Sequence, residues 1–283
     1  YRINNLIKNN VINYFYTVLN TLQMGYSHYK IYFKLQNVDT KKENEILDYF
    51  IKNQRCIWLG TISGNWDLGV SLLAKNPIDF GKIFQKILND YGKNILEKNI
   101  SIIERAPTFN RSYLLGESVP IELEYEEKEE KKELDKIDKK ILSIISINAR
   151  IPIIDLINKT NLTRDIIAYR IKKMQREKII QGYRTSFNLE KLGYSYYKIQ
   201  LNFKNLRKGK EQELINYCKS HKNIVQYIKL IGSVDSEIEC EVKNNLELRN
   251  LILNIKNRFS DIIRNTEQLL VYEKKLNYYP FKS

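Results

Sequence analysis

Cysteine is scarce in this chain. Cys56, Cys218 and Cys240 are the only three, and no two of them form a CxxC pair. That argues against a disulfide scaffold and a cysteine zinc site, and makes a reducing cytosol the natural compartment. Histidine is scarcer still, with only His28 and His221. The chain has no metal-ligand cluster, no glycine-rich phosphate loop and no nucleophile motif, so neither metal nor cofactor is expected. No apolar run approaches the roughly 20 residues that span a bilayer. The opening residues 1–10 are polar and carry Arg2 and Lys8, which is not a secretory leader.

What is abundant is positive charge. The 283 residues include 47 Lys and Arg against 33 Asp and Glu, a formal net charge of +14. Hydrophobic residues at 43% argue against wholesale disorder. The length allows two or three domains with real cores. The charge favours polyanionic partners, nucleic acid first. A lysine-rich proteome from an A/T-rich genome would explain the same charge.

The chain repeats itself at one offset. Tyr1-Arg2-Ile3 recurs as Tyr169-Arg170-Ile171, and Gly25-Tyr26-Ser27 as Gly193-Tyr194-Ser195. Tyr29-Lys30-Ile31 recurs as Tyr197-Lys198-Ile199, and Lys75-Asn76 as Lys243-Asn244. Every pair is 168 residues apart. One repeat runs from Tyr1 to about Glu104 and the other from Tyr169 to about Glu273. Each reads as strand, helix, strand, strand, helix, strand.

Between the repeats, residues 118–133 are dense in charge and read as a linker or an exposed helix. Three helical patterns follow, at about 136–148, 153–160 and 164–177. Pro152 suits the start of the second, and Thr163 suits the N-cap of the third. Ile179-Ile180-Gln181-Gly182-Tyr183 reads as a short strand and turn. This is the layout of a winged helix-turn-helix. Its third helix would enter the major groove, with Thr163, Arg164 and Tyr169 near base edges. Arg170, Lys172, Lys173 and Arg176 would meet phosphates. From Thr163 to Lys178 six basic residues face two acidic ones. A solvated amphipathic helix with surplus lysine is the plainer alternative.

These residues resemble the helix-turn-helix of Lrp/AsnC transcription regulators. The resemblance rests on Leu134-Asp135-Lys136-Ile137-Asp138, on Tyr169-Arg170-Ile171-Lys172-Lys173-Met174, and on the closing Ile179-Ile180-Gln181-Gly182-Tyr183. The family's usual Gly-Leu-Ser turn is here Asn161-Leu162-Thr163, which keeps the cap and loses the glycine. The resemblance implies that each βαββαβ repeat is a ferredoxin-like RAM effector domain. The expected fold class is α+β, with two such domains and an all-α winged helix-turn-helix between them. The expected boundaries are 1–12 for the end of a truncated first helix-turn-helix and 13–117 for the first RAM-like domain. The linker follows at 118–133, then the helix-turn-helix at 134–183 and the second RAM-like domain at 184–283.

Gly64, Trp66 and Asp67, and their counterparts Gly232 and Asp235, match the family's Gly-x-x-Asp turn, near which small effectors such as amino acids bind. The same residues make a plain hairpin turn with a capping Asp.

Because Tyr1 pairs with a position inside the third helix, about 35 residues of a first helix-turn-helix are expected upstream. Its two RAM copies would pair as an internal pseudo-dimer, and further copies of the chain would associate. The function expected on this reading is a cytoplasmic, sequence-specific regulator that binds double-stranded DNA, and not an enzyme. The alternative is a siroheme decarboxylase-like enzyme with the same tandem architecture, whose chemistry would use His and Arg between the RAM copies. His28 and His221 count against it, because their repeat counterparts are Tyr196 and Asn53. The aromatic tail Tyr278-Tyr279-Pro280-Phe281 reads as a packing strap on the sheet.

Overall fold

A computed structural model describes residues 1–116, 123–125, 132–207 and 209–276. The first half carries α1 (Arg2–Lys8), β1 (Ile12–Leu19), β2 (Ser27–Leu35), α2 (Thr40–Lys52), β3 (Cys56–Ser63), β4 (Leu68–Ala74), α3 (Pro77–Tyr91) and β5 (Ile95–Thr108). A middle stretch holds α4 (Ser112–Leu115), β6 (Leu123–Tyr125), α5 (Lys136–Ile145), α6 (Ile153–Thr160) and α7 (Arg164–Arg176). The last part carries β7 (Ile180–Phe187), β8 (Ser195–Phe203), α8 (Lys210–Ser220), β9 (Ile224–Gly232), β10 (Ser236–Val242), α9 (Asn245–Arg258) and β11 (Ile263–Leu276). The fold is mixed α/β with antiparallel sheets. No described helix is long and apolar enough to cross a membrane. Most of the expected linker and the whole aromatic tail lie outside the described residues.

The repeat explains the local structure. Asn76 and Asn244 each cap the helix that follows, accepting from the amides of Asp79 (2.8 Å) and Glu247 (2.9 Å). Those two acids reach back to the amides of Lys75 and Lys243, both at 2.8 Å. This reciprocal box satisfies amides that a helix start leaves open. It is why Lys-Asn recurs.

Strand alternation sets the layers. In β2, Ile31 and Phe33 face Ile46 and Phe50 of α2 and Ile87 of α3. In β8, Ile199 and Leu201 face Leu214 of α8 and Leu251 and Ile255 of α9. The intervening residues point to the opposite face. There the strands close into a ring in the order β2-β4-β3-β11-β8-β10-β9-β5, with β5 pairing back onto β2. The two halves meet at equivalent seams, β3 on β11 and β9 on β5. The result is an eight-stranded barrel with helices outside and a pseudo-two-fold axis through its middle. β6 extends the sheet beside β5.

β1 and β7 form a separate antiparallel ribbon. The expected wing at 179–183 is therefore longer than a short strand and turn. It is an eight-residue strand, because β1 of the first half supplies its hydrogen-bonding partner. The ribbon also joins the helix-turn-helix to the barrel. α5 ends at Ile145, earlier than the expected 148, where the Ser146 carbonyl accepts from the Thr17 amide at 3.1 Å. The Thr17 hydroxyl donates to the Ile145 carbonyl at 2.7 Å. Leu19 and Met24 pack on the core of α5–α7, around Ile141, Leu142, Leu156, Ile167 and Met174.

Candidate active site

The barrel interior is charged. Lys30 of β2 pairs with Glu237 of β10, and their side chains are only 3% and 0% exposed. The Tyr32 hydroxyl donates to Glu237 Oε1 at 2.6 Å, and Gln200 Nε2 donates to the same oxygen at 3.0 Å. Lys198 of β8 pairs with Glu239 and lies 3.8 Å from Glu237. Burying a charge costs several kcal/mol unless it is paired and hydrogen-bonded, and each of these has its partner.

The neighbours set the protonation. Burial works to raise Glu237, but Lys30 and Lys198 outweigh it and hold the carboxyl below its ordinary value. Burial works to lower Lys198, and Glu239 and Glu237 outweigh that and raise it. Lys30 goes the other way. Burial, reinforced by Lys198, overcomes the pull of Glu237 and lowers it.

Trp58 floors the space above these lysines. Its ring centroid is 4.4 Å from Lys198 Nζ and 5.7 Å from Lys30 Nζ. The indole fits because Gly60 of β3 is paired with Gly69 of β4. A Cβ on Gly60 would come within 2.9 Å of the indole, and one on Gly69 within 2.7 Å.

Above the floor lies a cavity of about 250 Å³, between the barrel mouth and the β1–β7 ribbon. Four cations line it, Lys30, Lys198, Arg111 and Arg184, against two carboxylates, Glu239 and Glu241. Glu241 clamps Arg111 with two bonds of 2.7 and 2.9 Å and accepts from the Tyr113 hydroxyl at 2.5 Å. Arg184 donates to the Phe109 carbonyl at 2.7 Å. Burial, with Arg111 adding to it, lowers Arg184 from its ordinary value. His28 also lines the wall, in hydrogen-bond contact with Thr21. Burial and then Lys30 push its imidazole down to about 3, so it is neutral at physiological pH. Ser71 of β4 is buried, and its hydroxyl has no hydrogen-bond partner. With Glu237 neutralising Lys30 from behind the wall, the surplus is one cation, Arg184. That surplus beside an indole and a neutral imidazole suits an anionic, largely apolar ligand.

The residues expected to contact a ligand or DNA lie elsewhere. Gly64 and Gly232 sit at φ +139° and +152°, which favours glycine. Asp67 accepts from the Leu35 amide at 2.7 Å and from Lys34 at 3.2 Å. Asp235 accepts from the Phe203 amide at 2.6 Å. Both carboxylates are thus turned onto the chain's own backbone as hairpin clamps, and neither lines the cavity. Trp66 leans on Tyr32, with ring centroids 6.2 Å apart. On α7, Thr163 caps the helix through the Ile166 amide. Arg164, Tyr169, Lys172 and Arg176 are exposed and Lys173 is half-buried. Arg170 differs from the expectation of a phosphate contact. It is held by Asp135 at 2.5 Å and Asp138 at 3.3 Å, tying α7 to α5.

A family model for the AsnC-type helix-turn-helix domain matches residues 134–175. Residues 134–175 are an AsnC-type helix-turn-helix domain. The resemblance to Lrp/AsnC proteins is borne out there. Comparison with curated proteins finds no match. Among solved structures, siroheme decarboxylase NirDL aligns over 99% of this chain and 82% of its own, with TM-score 0.68 and 11% identity. The same enzyme in co-complex with an iron-uroporphyrin III analogue aligns over 99% and 83%, with TM-score 0.66 and 10% identity. Escherichia coli AsnC aligns over 50% of this chain and 94% of its own, with TM-score 0.43 and 24% identity. The expectations of a transcription regulator and of no enzyme are corrected here. The likeness that spans the chain is to an enzyme, while the AsnC-type match is confined to one segment.

The cavity residues form no motif in the sequence. The repeat counterpart of His28 is Tyr196, and a chamber lying on a pseudo-two-fold axis can diverge at its two ends in this way. One signal was available. Glu237, Glu239 and Glu241 alternate with Ile238, Cys240 and Val242, which is the period of a strand with one charged, enclosed face.

Proposed function

We propose that this protein is a siroheme decarboxylase-like enzyme, acting on the carboxylate side chains of an iron tetrapyrrole held in the barrel-mouth cavity. The observation that carries the reading is the meeting of Lys30, Lys198, Arg111, Arg184 and His28 around one cavity floored by Trp58. A chamber of about 250 Å³ takes one carboxylate-bearing edge of a flat aromatic macrocycle, with the rest of the ring extending from its mouth. The cations pair with carboxylates, and the indole offers a stacking surface.

The chemistry follows from the same residues. Loss of CO2 breaks the bond between the carboxylate and its methylene carbon. The electron pair passes into the conjugated ring, and the methylene carbon takes a proton to become a methyl group. Lys30, lowered by burial, is the proton donor on this reading, because a lysine below its usual range gives up a proton more readily. His28, neutral, positions the substrate by hydrogen bonding. Trp58 and Val225 supply the apolar part of the wall, against which uncharged CO2 can leave.

The finer architecture belongs to the same proposal. Residues 13–117 and 184–283 act as two ferredoxin-like, RAM-type domains paired internally as a pseudo-dimer, with the helix-turn-helix at 134–183. The exposed face of α7, at Arg164, Tyr169, Lys172 and Arg176, is the surface through which that module would touch DNA. Arg170 is already engaged. The ligand chamber is the cavity and not the Gly-x-x-Asp turns.

A titration of the protein with iron uroporphyrin III, followed by its visible absorbance, tests the reading. Saturable binding that shifts the main absorbance band, and that weakens on Trp58→Ala, supports it. Absence of binding, or binding indifferent to Trp58, overturns it.

A further inference from the structure

The cavity has two ends related by the repeat, and they are not chemically equal. Ser71 and Glu239 are counterparts, 168 residues apart. Ser71 stands opposite Lys30 in the β2–β4 register. Glu239 stands opposite Lys198 in the β8–β10 register. Lys198 is therefore neutralised by the carboxylate beside it. At the other end the same position holds only a hydroxyl, and the carboxylate that pairs with Lys30 comes from Glu237 on β10.

We propose that Ser71 marks the end of the cavity that receives the reacting carboxylate, and that Glu239 closes the opposite end to one. The inference rests on the proposed function and sharpens it, from a tetrapyrrole site to one that selects a single edge of the macrocycle. Ser71 is 4% exposed, lines the cavity and has an unsatisfied hydroxyl. A buried donor without a partner is costly, and a bound carboxylate oxygen would satisfy it. The same carboxylate lies beside the Lys30 ammonium, which it would share with Glu237. Turned the other way, it would meet Glu239, where like charges repel in a poorly solvated space. A near-symmetric barrel thus acquires direction from one substitution between its repeats. The cations Arg111 and Arg184 line the cavity in either orientation and do not decide between them.

The test compares wild type, Ser71→Ala, Ser71→Asp and Glu239→Gln in titrations with iron uroporphyrin III, each variant first checked for a native thermal melt. Ser71→Ala should weaken binding roughly tenfold, as expected for losing one hydrogen bond to a charged group. Ser71→Asp should weaken it further by placing a carboxylate at both ends. Glu239→Gln should bind at least as well as wild type. If Ser71→Asp does not fold, the alanine variant decides. If wild type binds and both Ser71 variants match it, or if Glu239→Gln loses binding as Ser71→Asp should, the assignment of ends is wrong while the enzyme reading stands. If wild type itself does not bind, the proposed function falls and this inference falls with it.

Discussion

Tyr16 and Arg184 are the same position of the two repeats, and they sit directly opposite each other in the β1–β7 ribbon. The pseudo-two-fold axis passes between them, and both line the cavity. One half thus contributes a phenol to the roof where the other contributes a guanidinium. Together with His28 against Tyr196, and Ser71 against Glu239, this makes the chamber asymmetric at every level from floor to roof.

Arg184 should therefore matter to ligand binding more than its counterpart. It is a half-buried cation whose partners, the Phe109 carbonyl and the Tyr16 hydroxyl, are not carboxylates, so a ligand carboxylate would give it a counter-charge. Arg184→Met should weaken iron uroporphyrin III binding by about ten- to a hundredfold, the range for losing a charge-assisted hydrogen bond. Tyr16→Phe should cost less. Equal, small effects in the two titrations would contradict this.

The buried ion pairs should be poor stabilisers but costly to break. Glu237→Ala leaves Lys30 without its partner and Tyr32 and Gln200 without an acceptor. A loss of about 3–5 kcal/mol in denaturant unfolding is expected for one broken buried pair. The double variant Lys30→Met/Glu237→Leu should recover much of it, because the uncompensated charge is gone. A double variant no more stable than Glu237→Ala would show that the pair itself holds the barrel.

His28 gives a pH dependence with a definite sign. Its folded value is depressed to about 3 from an ordinary 6.5, so the folded state resists a proton that the unfolded chain accepts. Stability linked to His28 is fully present above pH 6.5 and is lost as pH falls from there toward 3. His28→Gln should flatten that part of the melting-temperature profile. A variant with the same acid slope as wild type would place the sensitivity in other groups.

Gly69 should be intolerant of any side chain. A Cβ there lies 2.7 Å from the Trp58 indole, which is itself enclosed by the barrel. Gly69→Ala should destabilise by about 1–3 kcal/mol, the usual cost of overpacking, and should also weaken ligand binding by shifting the floor. Gly81→Ala, with open space around its Cβ, is the control. Equal stability of the two variants would mean that the indole moves aside freely.

Much of the architecture was legible because it is local and written twice. Asn76 and Asn244 cap helices through contacts within four residues, and the 168-residue offset keeps both halves in step. The chamber was less legible because it is long-range. Arg111 meets Glu241 across 130 residues, and Lys30 meets Glu237 across 207. No spacing in the sequence announces that β3 will seam to β11 and β9 to β5. The Gly-x-x-Asp turns drew attention because they recur, yet they recur because both hairpins need the same clamp. Ser71, in contrast, was invisible through failing to recur.

The most direct test of the central claim is turnover. The purified protein is incubated anaerobically with siroheme, and the tetrapyrrole is then analysed by mass spectrometry. Stepwise loss of CO2 from the substrate, abolished by Trp58→Ala and slowed by Lys30→Met, is the predicted result. Siroheme recovered with every carboxylate intact, from protein that binds it tightly, would contradict the account.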